Sequence, residues 1–174
     1  MATVIIRPDG IGSSTGFDIS GATLLGVLND EDNGTGAEQN NVSADIQEIS
    51  FGNTGFSGTI NSVAVSIVAS TSARSASTSI NIKLLNADGT TLNTDTHNIN
   101  SGDGTVQKDG DAYTDSLTPS VVEGLNVTVE PNTSGCKIYE VFITVDFTAA
   151  AVTSGGKITL SSGKITLTSG KITL

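Results

Sequence analysis

Apolar residues recur at every second position along much of this chain, in short runs set between polar, glycine-rich stretches. A period of two belongs to strands with one buried face. ATVIIR (2–7) is the first such run, and Pro8-Asp9-Gly10 reads as the turn that stops it. Residues 11–21 read as a Gly- and Ser-rich loop. TLLGVLND (23–30) is apolar and fits either one helical turn or a strand, and DEDNGTGAEQNN (30–41) is a long polar loop. DIQEISF (45–51) sets Ile46 and Glu48 on one face against Gln47, Ile49 and Phe51 on the other.

The clearest strand of the first half is TINSVAVSIVAS (59–70), with Val63, Val65, Ile67 and Ala69 on one face. SINIKLL (79–85) points Ile80, Ile82 and Leu84 inward, and NADGTTL (86–92) is a hairpin turn in which Asp88-Gly89 supplies positive φ. Residues 100–111 read as a loop. SVVEGLNVTVEP (120–131) places Leu125, Val127 and Val129 on one face, and KIYEVFITVDF (137–147) does the same with Tyr139, Val141, Ile143, Val145 and Phe147. About eight strands, long loops and no long helix predict an all-β protein. One apolar face per strand calls for two sheets packed together, so residues 1–150 are expected to form an antiparallel β-sandwich of jelly-roll type.

The last stretch departs from this pattern. Residues 151–174 form a separate C-terminal arm in which KITL recurs three times with period seven. Gly in every spacer and β-branched Ile and Thr argue against a coiled coil. In an extended chain Ile158 and Leu160, Ile165 and Leu167, and Ile172 and Leu174 share one face, while Lys157, Lys164 and Lys171 lie on the other with the threonines. Such units either intertwine with those of other subunits or add strands to an exposed sheet edge. A low-complexity tail is the competing reading.

Charge sharpens the division. Residues before Val152 carry five basic against eighteen acidic side chains, a net −13, whereas the arm is +3. An acidic body repels phosphate backbones, so no nucleic-acid partner is expected. No apolar run approaches a membrane span, and MATVIIRPDG lacks the apolar core of a signal peptide; a chain made in the cytoplasm, with no membrane partner, is the expectation. Aromatic residues make up only 4% and Trp is absent, which weighs against a glycan-cleaving site. The single histidine, His97, supports neither a triad nor a His-rich metal site, and Cys136 beside an apolar strand reads as a buried, inert thiol. Asp30 and Asp32 in one loop, and Asp109 and Asp111 in another with Asp115 beyond, are candidate calcium ligands set against ordinary solvated loops. Neither stretch completes an EF-hand, so no cofactor and no enzyme activity are expected.

The phrases ATVIIRPDGIGSSTGF and ATLLGVLNDEDNG, with the SGTINSVAVSIVAS strand after Phe51, resemble the jelly-roll domains of tailed-bacteriophage virion proteins. The resemblance spans residues 2–147 and leaves out the KITL arm. It implies a virion location and a structural role: a capsid decoration, or cement, protein, expected to be homotrimeric and to contact the major capsid protein. Its alternative is a receptor- or glycan-binding module of a tail fibre, for which the 30–41 and 100–115 loops are the expected contact regions.

Overall fold

The structure, a computed structural model, describes residues 2–15, 17–18, 23–29, 37–39, 45–52, 55, 57–71, 77–132 and 135–150. Eleven strands and two short helices follow one another: β1 (Ala2–Ile6), β2 (Pro8–Thr15), β3 (Phe17–Asp18), α1 (Leu24–Asn29), β4 (Ala37–Gln39), β5 (Asp45–Phe51), β6 (Gly58–Thr71), β7 (Ser77–Leu85), β8 (Thr91–Asn100), β9 (Val106–Asp109), α2 (Pro119–Val122), β10 (Asn126–Pro131) and β11 (Cys136–Ala149). They form two antiparallel sheets. The first runs β3-β4-β11-β6-β9, with β1 also paired to β11; the second runs β2-β5-β10-β7-β8. This is the expected jelly-roll sandwich. The KITL arm, with Lys157, Ile158, Leu160, Lys164, Ile165, Leu167, Lys171, Ile172 and Leu174, lies outside the described residues.

The core is built by the alternation that the sequence carries. Val63, Val65, Ile67 and Ala69 of β6 and Val141, Ile143 and Val145 of β11 face Ile80, Ile82 and Leu84 of β7 and Val127 and Val129 of β10, all buried. Helix α1 closes one side of the sandwich by burying Leu24, Val27 and Leu28. Cys136 is fully buried, and burial pushes its thiol pKa up to about 12. The thiol of the unfolded chain ionises near the ordinary value of 9.0. Unfolding therefore releases a proton between about pH 9 and 12, and Cys136 makes stability fall as pH rises through that window. A Cys136→Ala variant should lose that component of the alkaline decline in melting temperature, and native protein should resist iodoacetamide until it is denatured.

Four local departures from simple alternation carry physical causes. Ile46 and Ile49 are both buried although three positions apart, because β5 is bulged: Val127 opposes Ile49 while Val129 opposes Ile46. Glu48 sits in the bulge at φ 55, and Gly12 on the neighbouring strand leaves room for its side chain. In β11 the register shifts between Ile138 and Glu140, so Ile138 points inward. Tyr139 does not join the core but meets the Ser70 hydroxyl at 3.2 Å. Pro8-Asp9-Gly10 is not a turn but the start of β2, where the chain passes from one sheet to the other; a proline with no N–H is tolerated as the first residue of an edge strand. Residues 119–122 form the one-turn helix α2 before β10 begins, with Thr118 as N-cap and Pro119 in the first turn.

The outer face of the first sheet carries a partly buried ion pair. Arg7 Nη1 lies 2.7 Å from Glu140 Oε2, and its guanidinium stacks 5.6 Å over the Phe142 ring. Glu140 therefore lies buried with a cation beside it.

Candidate functional site

One end of the sandwich gathers three chain segments around a cavity of about 170 Å³. Asn86 and Leu92 come from the β7–β8 hairpin, Tyr113, Asp115 and Ser116 from the loop after β9, and Val121 from α2.

Each wall is fixed by local bonding. In the hairpin, Gly89 adopts φ +83 and donates its amide to the Asn86 carbonyl at 3.0 Å. The Asn86 Oδ1 accepts from the Asp88 and Thr90 amides at 3.1 and 3.0 Å. Its oxygen is thus committed to the turn, and its Nδ2 has no partner among the described residues. Thr90 hydrogen-bonds to the Asp88 carboxylate through its hydroxyl and its amide, which holds the Asp88 pKa below the usual carboxylate value. The post-β9 loop is stitched to β6: Gly110 donates to the Val65 carbonyl at 2.8 Å, and Tyr113 exchanges two backbone bonds with Val63 at 2.8 and 2.9 Å. Tyr113 is half-buried, and its ring packs against the core. Ser116 follows at φ 52, a left-handed conformation unusual for serine and one that concentrates at binding sites. Val121 is held by its amide bond to the Thr118 hydroxyl at 3.3 Å. Gly124 lets the end of α2 abut the hairpin, since a Cβ there would sit 2.9 Å from that of Ala87.

The result is an apolar floor of Tyr113, Leu92 and Val121, rimmed by an amide, a hydroxyl and a carboxylate. Among the described residues no lysine or arginine lines it. A preformed apolar pocket with a few polar groups is the usual form of a small-ligand site.

Of the carboxylates that the sequence offers as calcium candidates, Asp115 lines this cavity, whereas Asp109 and Asp111 do not. Asp30 and Asp32 lie outside the described residues. Asp109 sits on β9 and accepts from the Ser66 hydroxyl at 2.8 Å and the Gln107 amide at 2.7 Å. Asp111 is exposed, and its carbonyl accepts from Asn93 Nδ2 at 3.2 Å. Among the described residues no group of three or more His, Cys, Asp or Glu side chains is placed to hold a metal ion. His97 is half-buried on β8 opposite Ile80, and its Nε2 has no partner among the described residues. Tyr113 and Asp115 fall within the 100–115 loop expected to make contacts in the glycan-binding alternative; the sequence does not single out Tyr113, an isolated aromatic in a polar loop, and marks Asp115 only as an outlying calcium candidate.

No protein-family model matches the sequence, and no curated protein is detectably similar to it. Similarity appears at the level of fold. The structure matches the C-terminal family 6 carbohydrate-binding module of LamC, a marine laminarinase from Zobellia galactanivorans, at 10% identity and a TM-score of 0.50, over 83% of this chain and 98% of that one. It also matches a carbohydrate-binding module of Cellvibrio mixtus lichenase 5A, solved with cellotriose, at 9% identity and a TM-score of 0.50, over 85% of this chain and 99% of that one. The fold resembles that of carbohydrate-binding modules. The expectation of a virion structural protein that decorates or cements a capsid is corrected by this finding, because the sandwich is matched by carbohydrate-binding modules rather than by a cement protein. The resemblance behind that expectation rested on strand and turn phrases, which many jelly rolls share whatever their role.

Proposed function

We propose that this chain is a non-catalytic glycan-binding module that takes a sugar ring into the Tyr113 cavity. The observation that carries the reading is the cavity itself. Tyr113, on a backbone anchored by two bonds to Val63, lines the cavity with an aromatic side chain, and polar groups of Asn86, Asp115 and Ser116 line it too. A sugar ring presents the complement: C–H groups on one face and hydroxyls around its rim. The likeness to carbohydrate-binding modules supports the same reading, as does the half-buried state of Tyr113, which leaves part of the ring for contact.

The electrostatics select among glycans. Among the described residues the lining carries Asp115 and no cation, within a body of net charge −13. Uronic or sulfated sugars meet repulsion there with no compensating ion pair, whereas neutral sugars donate hydroxyls to the carboxylate. Calorimetric titration with neutral β-glucan oligosaccharides, cellotriose among them, should give binding, and oligogalacturonate should give none. Asp115→Asn should weaken the neutral ligand by about tenfold, as the loss of a charge-assisted hydrogen bond does. Equal binding of neutral and acidic oligomers would refute the selectivity, and no binding of any glycan would refute the function.

A further inference from the structure

The two sheets end in several edge strands, and all but one are visibly blunted. Strand β2 begins with Pro8 and is bulged, β3 is two residues long, β8 carries Asp95 and His97 toward the inter-sheet side, and β9 is four residues long with Lys108 and Asp109. Proline, bulges, shortness and charge are the devices that keep a sheet edge from recruiting another strand. Strand β1 has none of them. It is ATVII, uncharged and without proline, and it pairs with β11 in an unbroken register from Ala2↔Phe147 to Ile6↔Ile143. Among the described residues it pairs with nothing else. On its outer side lies Ile5, 54% exposed, the exposed large apolar residue of the described structure. Val4, on the core side, is only half-buried.

We infer that the β1 edge is a docking site for a KITL unit from the arm of a second copy of this chain. Four observations converge on that occupant. Each unit has four residues and the edge has five. Its Ile and Leu alternate as Val4 and Ile6 do, so an added strand continues the core over Val4 while its Lys and Thr lie on the face of Thr3 and Ile5. Charge is complementary, +3 on the arm against −13 on the body, and that outer face carries Asp146 beside Thr3. Finally, each chain has three units and one such edge, so units outnumber edges three to one and a single arm can engage the edges of more than one copy. A seven-residue spacer such as 150–156 can span at most about 25 Å, and Ala149, the last residue of β11, lies two places past the partner of Ala2. The inference stands apart from the glycan reading, since β1 contributes nothing to the cavity lining.

The test is sedimentation velocity of the full chain over a concentration series, with two variants. Wild type should form concentration-dependent oligomers. Ile5→Lys, which blunts the edge at an exposed position, should associate at least tenfold more weakly with an unchanged melting temperature. A variant with Ile158, Ile165 and Ile172 all changed to Ser, which leaves the body intact, should behave likewise. Mixing the two variants should restore association, because one supplies the arm and the other the edge. A monomeric wild type, an Ile5→Lys chain that associates like wild type, or a mixture that stays monomeric would each overturn the inference.

Discussion

Replacing Tyr113 by alanine is expected to abolish measurable glycan binding while the protein stays folded. The backbone bonds between residue 113 and Val63 do not depend on the side chain, so the loop keeps its anchor. What disappears is the aromatic surface of the cavity, the only one among the described lining residues. A central, desolvated aromatic contact in a small site is worth about 2 kcal/mol or more, which is roughly a thirtyfold loss in affinity. Tyr113→Phe separates the ring from its hydroxyl and should retain most of the affinity. The fold should show only a small drop in melting temperature, about 5 °C or less, from the core contact that the ring makes. Calorimetry with cellotriose beside thermal unfolding reads both quantities, and an alanine variant that binds like wild type would remove Tyr113 from the site.

The second large effect concerns stability. Gly58→Ala should destabilise the protein by about 3 kcal/mol. Gly58 opens β6 at φ +124, a conformation reserved for glycine, directly opposite Ala149. A Cβ there would overlap the carbonyl oxygen of Thr148 and lie 2.7 Å from the Ala150 nitrogen. The obstacle is backbone, so no rotamer relieves it. Strands β6 and β11 form the central pair of the first sheet, and their register begins at this position. Denaturant unfolding should show a lower midpoint with an unchanged slope. Gly89→Ala is the control: φ is +83 but nothing lies within 4 Å of the added carbon, so only the backbone strain, about 1 kcal/mol, is expected.

The alternation of Val63 to Ala69, of Ile80 to Leu84, and of Val141 to Val145 placed most of the core correctly, because each run has one wet face and one dry face. The reading failed where the two-residue period is interrupted. Ile46 and Ile49 share the core only because Glu48 occupies a bulge, and no local residue type announces that bulge. Tyr139 leaves the core for the same reason. Strand β8, TLNTDTHNIN, has few apolar residues to mark it. Of its inward positions Ile99 reaches the core, whereas Asn93 bonds to the Asp111 carbonyl in the chain that follows β9. The cavity was less legible still. Asn86, Tyr113 and Val121 lie in three separate segments, brought together by the stitching of residues 110–113 to β6 and by the close approach of Gly124 to Ala87. The charge balance was legible from the start, and it now bears on which sugars the cavity accepts and on how copies of the chain meet.

The most direct measurement is a titration of ¹⁵N-labelled protein with cellotriose, followed by amide chemical shifts. The account predicts that the largest shifts fall on Asn86, Tyr113, Asp115, Ser116 and Val121 and vanish in the Tyr113→Ala variant. Shifts confined to the outer face of either sheet, or a spectrum that cellotriose and related neutral glycans leave unmoved, would contradict it.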